Sequence, residues 1–173
     1  MIQGCIRKDR LCQQEVFQRY AGKMFTVCLR YARHKMEAED LLQDAFIKIF
    51  DNIAQFESKG SFEGWIRRIV VNTALKNYNK KGFANEQLGL DNLPDPVLEP
   101  TIYDHLNEEE LLGLIASLPD GYKVVFNLYA IEGYSHKEIA DLLDIQESTS
   151  RSQLVKARKM LQVKLTATQK IAV

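Results

Sequence analysis

The chain has 173 residues, 46% hydrophobic and 27% charged, and its 23 Lys/Arg are balanced by 23 Asp/Glu. These proportions suit a soluble globular protein of one domain or two small ones, and the zero net charge argues against a chain that merely coats DNA. Cys5, Cys12 and Cys28 form no C-x-x-C pair and His34, His105 and His136 are scattered, so no metal centre, disulfide framework or cofactor is expected.

Charge is distributed unevenly. Residues 1–82 carry 15 Lys/Arg against 9 Asp/Glu, a net of +6; residues 83–107 carry none against five; residues 108–173 carry 8 against 9. A basic half, an acidic connector and a near-neutral half suggest parts with different partners. No N-terminal apolar region and no run of ~18 apolar residues stands out, so neither a signal peptide nor a membrane span is expected and the cytoplasm is the expected compartment.

From Asp9 to about Arg33, Val16, Phe17, Tyr20, Met24, Val27, Cys28 and Tyr31 recur at helical spacing, with Ala21-Gly22 as a candidate break into two helices. Cys28 falls among apolar residues, as a small core side chain would. The stretch 36–51 is amphipathic: Leu42, Ala45, Phe46 and Ile49 share one side, and Asp40, Gln43, Asp44 and Lys48 another. Carboxylates crowd its first turn, where the helix dipole favours them. The same carboxylates also suit an acidic, partly apolar docking face, and spacing alone does not separate the two uses.

A polar loop then feeds a helix over 56–81. Ser61 is a good N-cap, and Lys80, Lys81 and Gly82 mark the end. Phe62, Ile66, Ile69 and Thr73 form an apolar stripe at i, i+4, i+7 and i+11; Trp65, Arg68, Asn72 and Lys76 lie on a neighbouring face. A ring, two cations and an amide can hold single-stranded nucleic acid, with cations on phosphates and ring or amide on unpaired bases. A buried Trp65 beside a solvated basic face accounts for the same spacing.

Residues 83–107 contain three of the four prolines, Pro94, Pro96 and Pro100, and show no helical or alternating period. A stretch of this length without structure reads as a linker between domains.

Beyond it, Asn107 and Glu110 form a plausible cap pair opening a helix to Ser117, Pro119-Asp120-Gly121 breaks the pattern, and an apolar helix runs from Tyr122 to Ile131 before Gly133. Ser135 and Glu138 form a capping box that opens a short helix through Ile139, Ala140, Leu142 and Leu143. A polar turn over 144–147 leads to a longer helix from about Ser148. Short helix, tight turn and longer helix make a helix-turn-helix. In that motif the start of the second helix enters the major groove, so Thr149, Ser150, Arg151, Ser152 and Gln153 are expected to face the bases. Arg151 suits guanine or phosphate and Gln153 adenine, while Lys156 and Lys159 suit phosphates.

With these motifs in place, the chain resembles the extracytoplasmic-function (ECF) group of bacterial RNA polymerase sigma factors from about Val16 to Leu161. The stretch EAEDLLQDAFIKIF (37–50) is similar to that family's polymerase-binding helix. FESKGSFEGWIRRIVVNTALKNY (56–78) is similar to the element that recognises and melts the −10 sequence, and residues 117–161 to the region that reads the −35 element. The resemblance implies an all-α chain of two small helical domains, 1–82 and 108–173, joined by the 83–107 linker, and a specificity subunit rather than an enzyme. It implies that Asp40, Gln43 and Asp44 dock on the coiled coil of the polymerase's largest subunit. It assigns Phe56 and the loop Ser58, Lys59, Gly60 and Ser61 to a pocket for an unpaired −10 base, and Asn72 to a hydrogen bond with such a base, beside Arg68 and Lys76. Arg151, Ser152, Val155 and Lys156 match positions that contact −35 DNA. The implied partners are core RNA polymerase, promoter DNA and an anti-sigma factor, with no membrane insertion.

The chain departs from the family pattern at three places. Gln146 stands where a capping Ser is frequent, Ser150 where Val is common, and Gln153 where Arg is frequent. An ordinary helix-turn-helix regulator would explain 135–161 but leave 37–78 without a purpose. A small all-α enzyme would need a nucleophile–base pair, a phosphate loop or a ligand cluster, and none is written here.

Overall fold

A computed structural model describes residues 1–80 and 108–171. The described elements are helical, and no strand occurs among the described residues. The chain divides into two compact units, Met1–Asn77 and Tyr78–Val173. The predicted 83–107 linker, the Asn107 cap and the Lys81-Gly82 helix end lie outside the described residues.

The first unit begins with α1 (Ile2–Ile6) and α2 (Arg10–Tyr31). Gly4 is buried, and a Cβ built on it would lie 2.2 Å from Cys12 Sγ, so only glycine lets α1 approach α2 this closely. Asp9 caps α2, its Oδ1 accepting Leu11 N–H at 2.9 Å. The expected break at Ala21-Gly22 does not occur: α2 is continuous for 22 residues. A glycine inside a helix costs only about 1 kcal/mol relative to alanine, and Val16, Met24, Val27 and Cys28 on either side stay buried. Burial pushes the Cys28 thiol up to about 12, so it remains protonated.

His34 caps α3 (Lys35–Asn52), its Nδ1 accepting Glu37 N–H at 3.1 Å. Ala38, Leu41, Leu42, Ala45, Phe46 and Ile49 enter the core. A short 3₁₀ turn, Ile53–Gln55, leads to the polar loop, and α4 (Phe62–Lys80) follows with Ser61 Oγ accepting Gly64 N–H at 3.0 Å. The deepest line of α4 is Ile66, Val70, Val71 and Ala74. Of the predicted stripe, Ile66 and Thr73 are buried, whereas Phe62 and Ile69 sit at its half-buried edge.

The second unit contains α5 (Glu108–Ala116), α6 (Asp120–Phe126) continued by a π turn (Asn127–Ile131), α7 (His136–Leu143) and α8 (Glu147–Ile171). The break expected at Pro119-Asp120-Gly121 falls before Asp120: Pro119 is the N-cap of α6, and Asp120 and Gly121 form its first turn. Proline there blocks extension of α5 yet tolerates a helix starting after it. Leu118, Tyr122, Ala157 and Leu161 form the centre of the core, flanked by Leu114, Phe126 and Met160. Lys164 Nζ donates to Ser117 Oγ at 2.7 Å and ties α8 to the end of α5. Lys123 is 1% exposed, and its ammonium lies 3.1 Å from Asp120 Oδ1, as a buried charge requires.

Candidate nucleic-acid interface

The turn and loop between α3 and α4 build a concavity of about 440 Å³ lined by Gln55, Phe56, Glu57, Lys59, Ser61, Gly64, Trp65 and Arg68. Its wall is aromatic. Phe56 meets Phe62 edge-on at 5.1 Å and Trp65 at 5.7 Å, and Phe62 stacks on Trp65 at 5.7 Å with 13° between the planes. Tyr20 of α2 braces Phe62 from behind at 5.7 Å. The loop turns sharply because Ser58 (φ 58°) and Gly60 (φ 115°) adopt left-handed backbone; the second value is one that side-chain-bearing residues rarely take. Lys59 pairs with Glu57 at 2.6 Å, but both side chains are largely exposed, so the pair is weak and easily exchanged.

A second groove of about 230 Å³ adjoins it, with Gln55 and Trp65 lining both. Lys48 and Asn52 of α3 meet Ile69, Asn72, Thr73 and Lys76 of α4 there. Lys48 Nζ donates to Thr73 Oγ1 at 3.2 Å, and Gln55 Nε2 donates to Asn52 Oδ1 at 3.0 Å. The structure therefore divides the predicted residues. Phe56, Lys59, Ser61 and Arg68 surround the first concavity, and Ser58 and Gly60 shape its loop. Asn72 and Lys76, both exposed, belong to the adjoining groove. Helical spacing does not point to Lys48 and Asn52, which reach the site only because α3 and α4 pack together, whereas Gln55 comes with the turn just before Phe56. Trp65 is half-buried between the two concavities, both a wall and a packed side chain.

On α3, Asp40, Gln43 and Asp44 are exposed, as are Met36 (69%) and Ile47 (60%). Positions 36, 40, 43 and 47 share one helix face, so the acidic face carries an apolar residue at each end. That periodicity was present in the sequence.

In the second unit the capping box is complete. Ser135 Oγ accepts Glu138 N–H, and Glu138 accepts Ser135 N–H at 2.8 Å. The Ser135 hydroxyl also donates to Glu138 Oε2 at 2.7 Å, and this bond together with the one from the Ser135 amide holds the Glu138 carboxyl below its ordinary range. Asp144 ends α7 in left-handed backbone (φ 54°), and Ile145 N–H returns to Ala140 O at 3.1 Å. α8 starts at Glu147, and Gln146 Oε1 accepts the Ser148 hydroxyl at 3.4 Å.

The start of α8 does not present all five predicted residues outward. Arg151 and Ser152 are exposed; Arg151 pairs with Glu147, and Ser152 Oγ donates to Thr149 O at 3.0 Å. Val155 is 54% exposed, while Thr149, Lys156 and Lys159 are half-buried. Gln153 is half-buried, its Nε2 3.3 Å from where a Gly121 Cβ would lie, which directs it toward α6. Ser150 is wholly buried, and its Oγ lies 2.9 Å from His136 Nδ1. Burial and then the Arg151 guanidinium push the His136 pKa down, with Arg158 in the same direction and Glu147 opposing.

Among the described residues no group of three His, Cys, Asp or Glu could hold a metal, and no helix is long and apolar enough to cross a membrane. Residues 16–83 match the family model for Sigma-70 region 2, and residues 108–161 that for Sigma-70, region 4. The ECF RNA polymerase sigma-E factor of Haemophilus influenzae is 30% identical over 179 residues, covering 95% of this chain and 93% of its own. The ECF RNA polymerase sigma factor SigE of Mycolicibacterium smegmatis is 29% identical over 152 residues; the match covers 85% of this chain and 59% of that longer relative. Among solved structures, a sigma factor RpoE from Bartonella quintana, crystallised with the anti-sigma factor NepR, shares the fold. Its TM-score is 0.53 at 19% identity, over 89% of this chain and 96% of that one.

Proposed function

The chain belongs to the ECF RNA polymerase sigma factors, and on that premise we propose how its surfaces divide the work of initiation. As a member of that family it is a promoter-directing subunit of RNA polymerase and not an enzyme. The aromatic concavity beside Phe56 captures an unpaired base of the −10 element. Flipping a base out of the stack costs a few kcal/mol, and stacking on a ring recovers about 1–3 kcal/mol per base. The observation that carries this reading is the concavity itself, lined by the Phe56 and Trp65 rings together with Lys59, Ser61 and Arg68. Asn72 and Lys76 in the adjoining groove guide the neighbouring nucleotide, by amide and by charge. No nucleotide hydrolysis is needed: polymerase opens the duplex and the pocket traps the strand.

The exposed face of α3 docks on the polymerase. Asp40 and Asp44 supply charge, Gln43 an amide, and Met36 and Ile47 apolar area. Arg151, Ser152 and Val155 of α8 read the −35 element in the major groove, with Lys156 and Lys159 on phosphates. Thr149 lies at the edge of that surface, and Gln153 supports it from behind, turned toward Gly121 of α6. The protein works in the cytoplasm with core polymerase and promoter DNA, and an anti-sigma factor holds it inactive.

The test is reconstitution with core polymerase on genomic templates. Promoter-dependent transcripts sharing −10 and −35 sequences are expected, and loss of core binding when Asp40 and Asp44 become Asn and Ile47 becomes Ser. Absence of transcripts from every template, with specific DNA binding retained, would instead assign the chain to ordinary helix-turn-helix regulation.

A further inference from the structure

His136 joins segments that the chain order keeps apart. Its Nδ1 lies 2.9 Å from Ser150 Oγ, and Ser150 is wholly buried one residue before Arg151. Its ring stacks on Tyr129 of the π turn, with centroids 4.4 Å apart and 20° between planes. Arg158, two turns further along α8, lies 5.8 Å over the Tyr129 ring. His136 is also the first residue of α7, directly after the Ser135 cap. One run of side chains, Arg158, Tyr129, His136 and Ser150, thus links the π turn, the start of α7 and two points on α8.

We propose that His136 is a positioning residue for promoter recognition: through the Ser150 hydroxyl it sets the rotation of the first turns of α8, and so the direction in which Arg151 and Ser152 leave the helix toward DNA. This rests on the reading of α8 as the −35-reading helix. A buried hydroxyl must find a partner, and a hydrogen bond is directional where apolar contact is not. Only a narrow range of α8 rotations keeps Oγ within reach of Nδ1. Successive side chains leave a helix about 100° apart, so a rotation fixed at Ser150 is fixed for Arg151 and Ser152. A valine at this position, common in the family, could hold the turn only by filling space. The charged groups facing the ring are Arg151, Glu147 and Arg158, all on α8. Burial and the two cations among them oppose protonation of the ring, and the hydroxyl can match either tautomer.

The test uses the full chain in holoenzyme, at a promoter defined by its own transcripts, against the same promoter with the −35 element scrambled. His136→Phe keeps a ring on Tyr129 and removes Nδ1; Ser150→Ala removes one oxygen and leaves the packing. Each is expected to lower −35-dependent affinity about three- to tenfold, the range of one lost hydrogen bond. The double variant should lose no more than either single one, and His136→Asn, which restores a polar group near Nδ1, should recover most of the loss. Losses that multiply in the double variant, or an Asn variant no better than Phe, would overturn the proposal. So would unchanged affinity in both single variants while Arg151→Ala loses it. If Arg151→Ala is also silent, the −35 reading of α8 has failed and the positioning role with it. Should His136→Phe not fold, Ser150→Ala decides alone: affinity equal to wild type beside a weakened Arg151→Ala rejects the role.

Discussion

The concavity beside Phe56 and the exposed start of α8 are built in opposite ways. The first is a hollow: Phe56 of the loop and Trp65 of α4 wall it, Phe62 packs against both rings, and left-handed backbone at Ser58 and Gly60 turns its loop. The second is a projection: Arg151, Ser152 and Val155 stand out from a helix whose orientation is held from beneath by the buried Ser150. A hollow recognises first by shape and stacking, which salt barely weakens, with Lys59 and Arg68 adding a smaller, salt-dependent part. A projection recognises through cations and hydrogen bonds, and its phosphate contacts are lost as salt displaces them. The two units of one chain should therefore respond differently to the same perturbation.

The largest expected effect breaks the hollow. Phe56→Ala removes a wall and should cost about 1–3 kcal/mol in promoter opening, the range for loss of one base–aromatic stack. Permanganate reactivity of −10 thymines in holoenzyme should fall, while affinity for core polymerase and the salt dependence of closed-complex formation stay unchanged. If core affinity falls in parallel, the ring is serving the fold of the first unit and not the strand.

Next comes the projection. Arg151→Ala should weaken −35 recognition by about 1–3 kcal/mol if the contact is bidentate to guanine. The value should sit toward the lower end, because the guanidinium must first leave Glu147. Discrimination at a single base pair should relax with it. A uniform loss across sequences, with a shallower salt slope, would make Arg151 a phosphate contact instead.

The difference between the two surfaces also decides what the sequence could reveal. The α3 face and the Ser135–Glu138 box were legible because both are local: their partners lie within a turn or two on one helix. The Phe56 hollow was half legible. The loop and ring residues are contiguous, but Lys48 and Asn52 join the adjoining groove from another helix. The turning inward of Ser150 was not legible, since its partner stands 14 residues earlier and is itself held by Tyr129. Helical spacing places Ser150 beside Arg151; only packing shows that one is buried and the other exposed. The continuity of α2 through Gly22 has the same cause, as tertiary contacts along the helix outweigh one unfavourable residue.

A smaller effect separates the units by stability. Ser135→Ala removes the cap of α7 and should cost about 1 kcal/mol, seen as faster amide exchange in α7 with none in α3 or α4. Acid should act on the same point. The Glu138 carboxyl is held low in the folded chain, so its contribution is present above its ordinary unfolded value and fades as pH falls through the lower folded one. The His136 pKa is also lowered: the unfolded chain binds that proton first, so stability falls as pH drops below about 6.5, the ordinary histidine value. Acidification should thus loosen the second unit through two groups, and Ser135→Ala should blunt the Glu138 part of that response.

The smallest effect is also the cleanest control on the comparison. Gly22 sits inside α2, and a Cβ built there meets no atom within 4 Å. Gly22→Ala should stabilise the first unit by about 0.4–1 kcal/mol, because alanine loses less backbone freedom on entering a helix and encounters nothing on the way. Denaturant titration of the full chain should show a shifted midpoint for the transition that carries the Trp65 fluorescence change. Permanganate reactivity at −10 and affinity at −35 should remain at wild-type levels. If promoter opening improves with stability, the hollow is not preformed and strand capture draws on the folding of the whole unit, which would erase the contrast with the projecting helix. A destabilised Gly22→Ala would instead mean that α2 bends at Ala21-Gly22 in solution, and that the glycine is there to allow it.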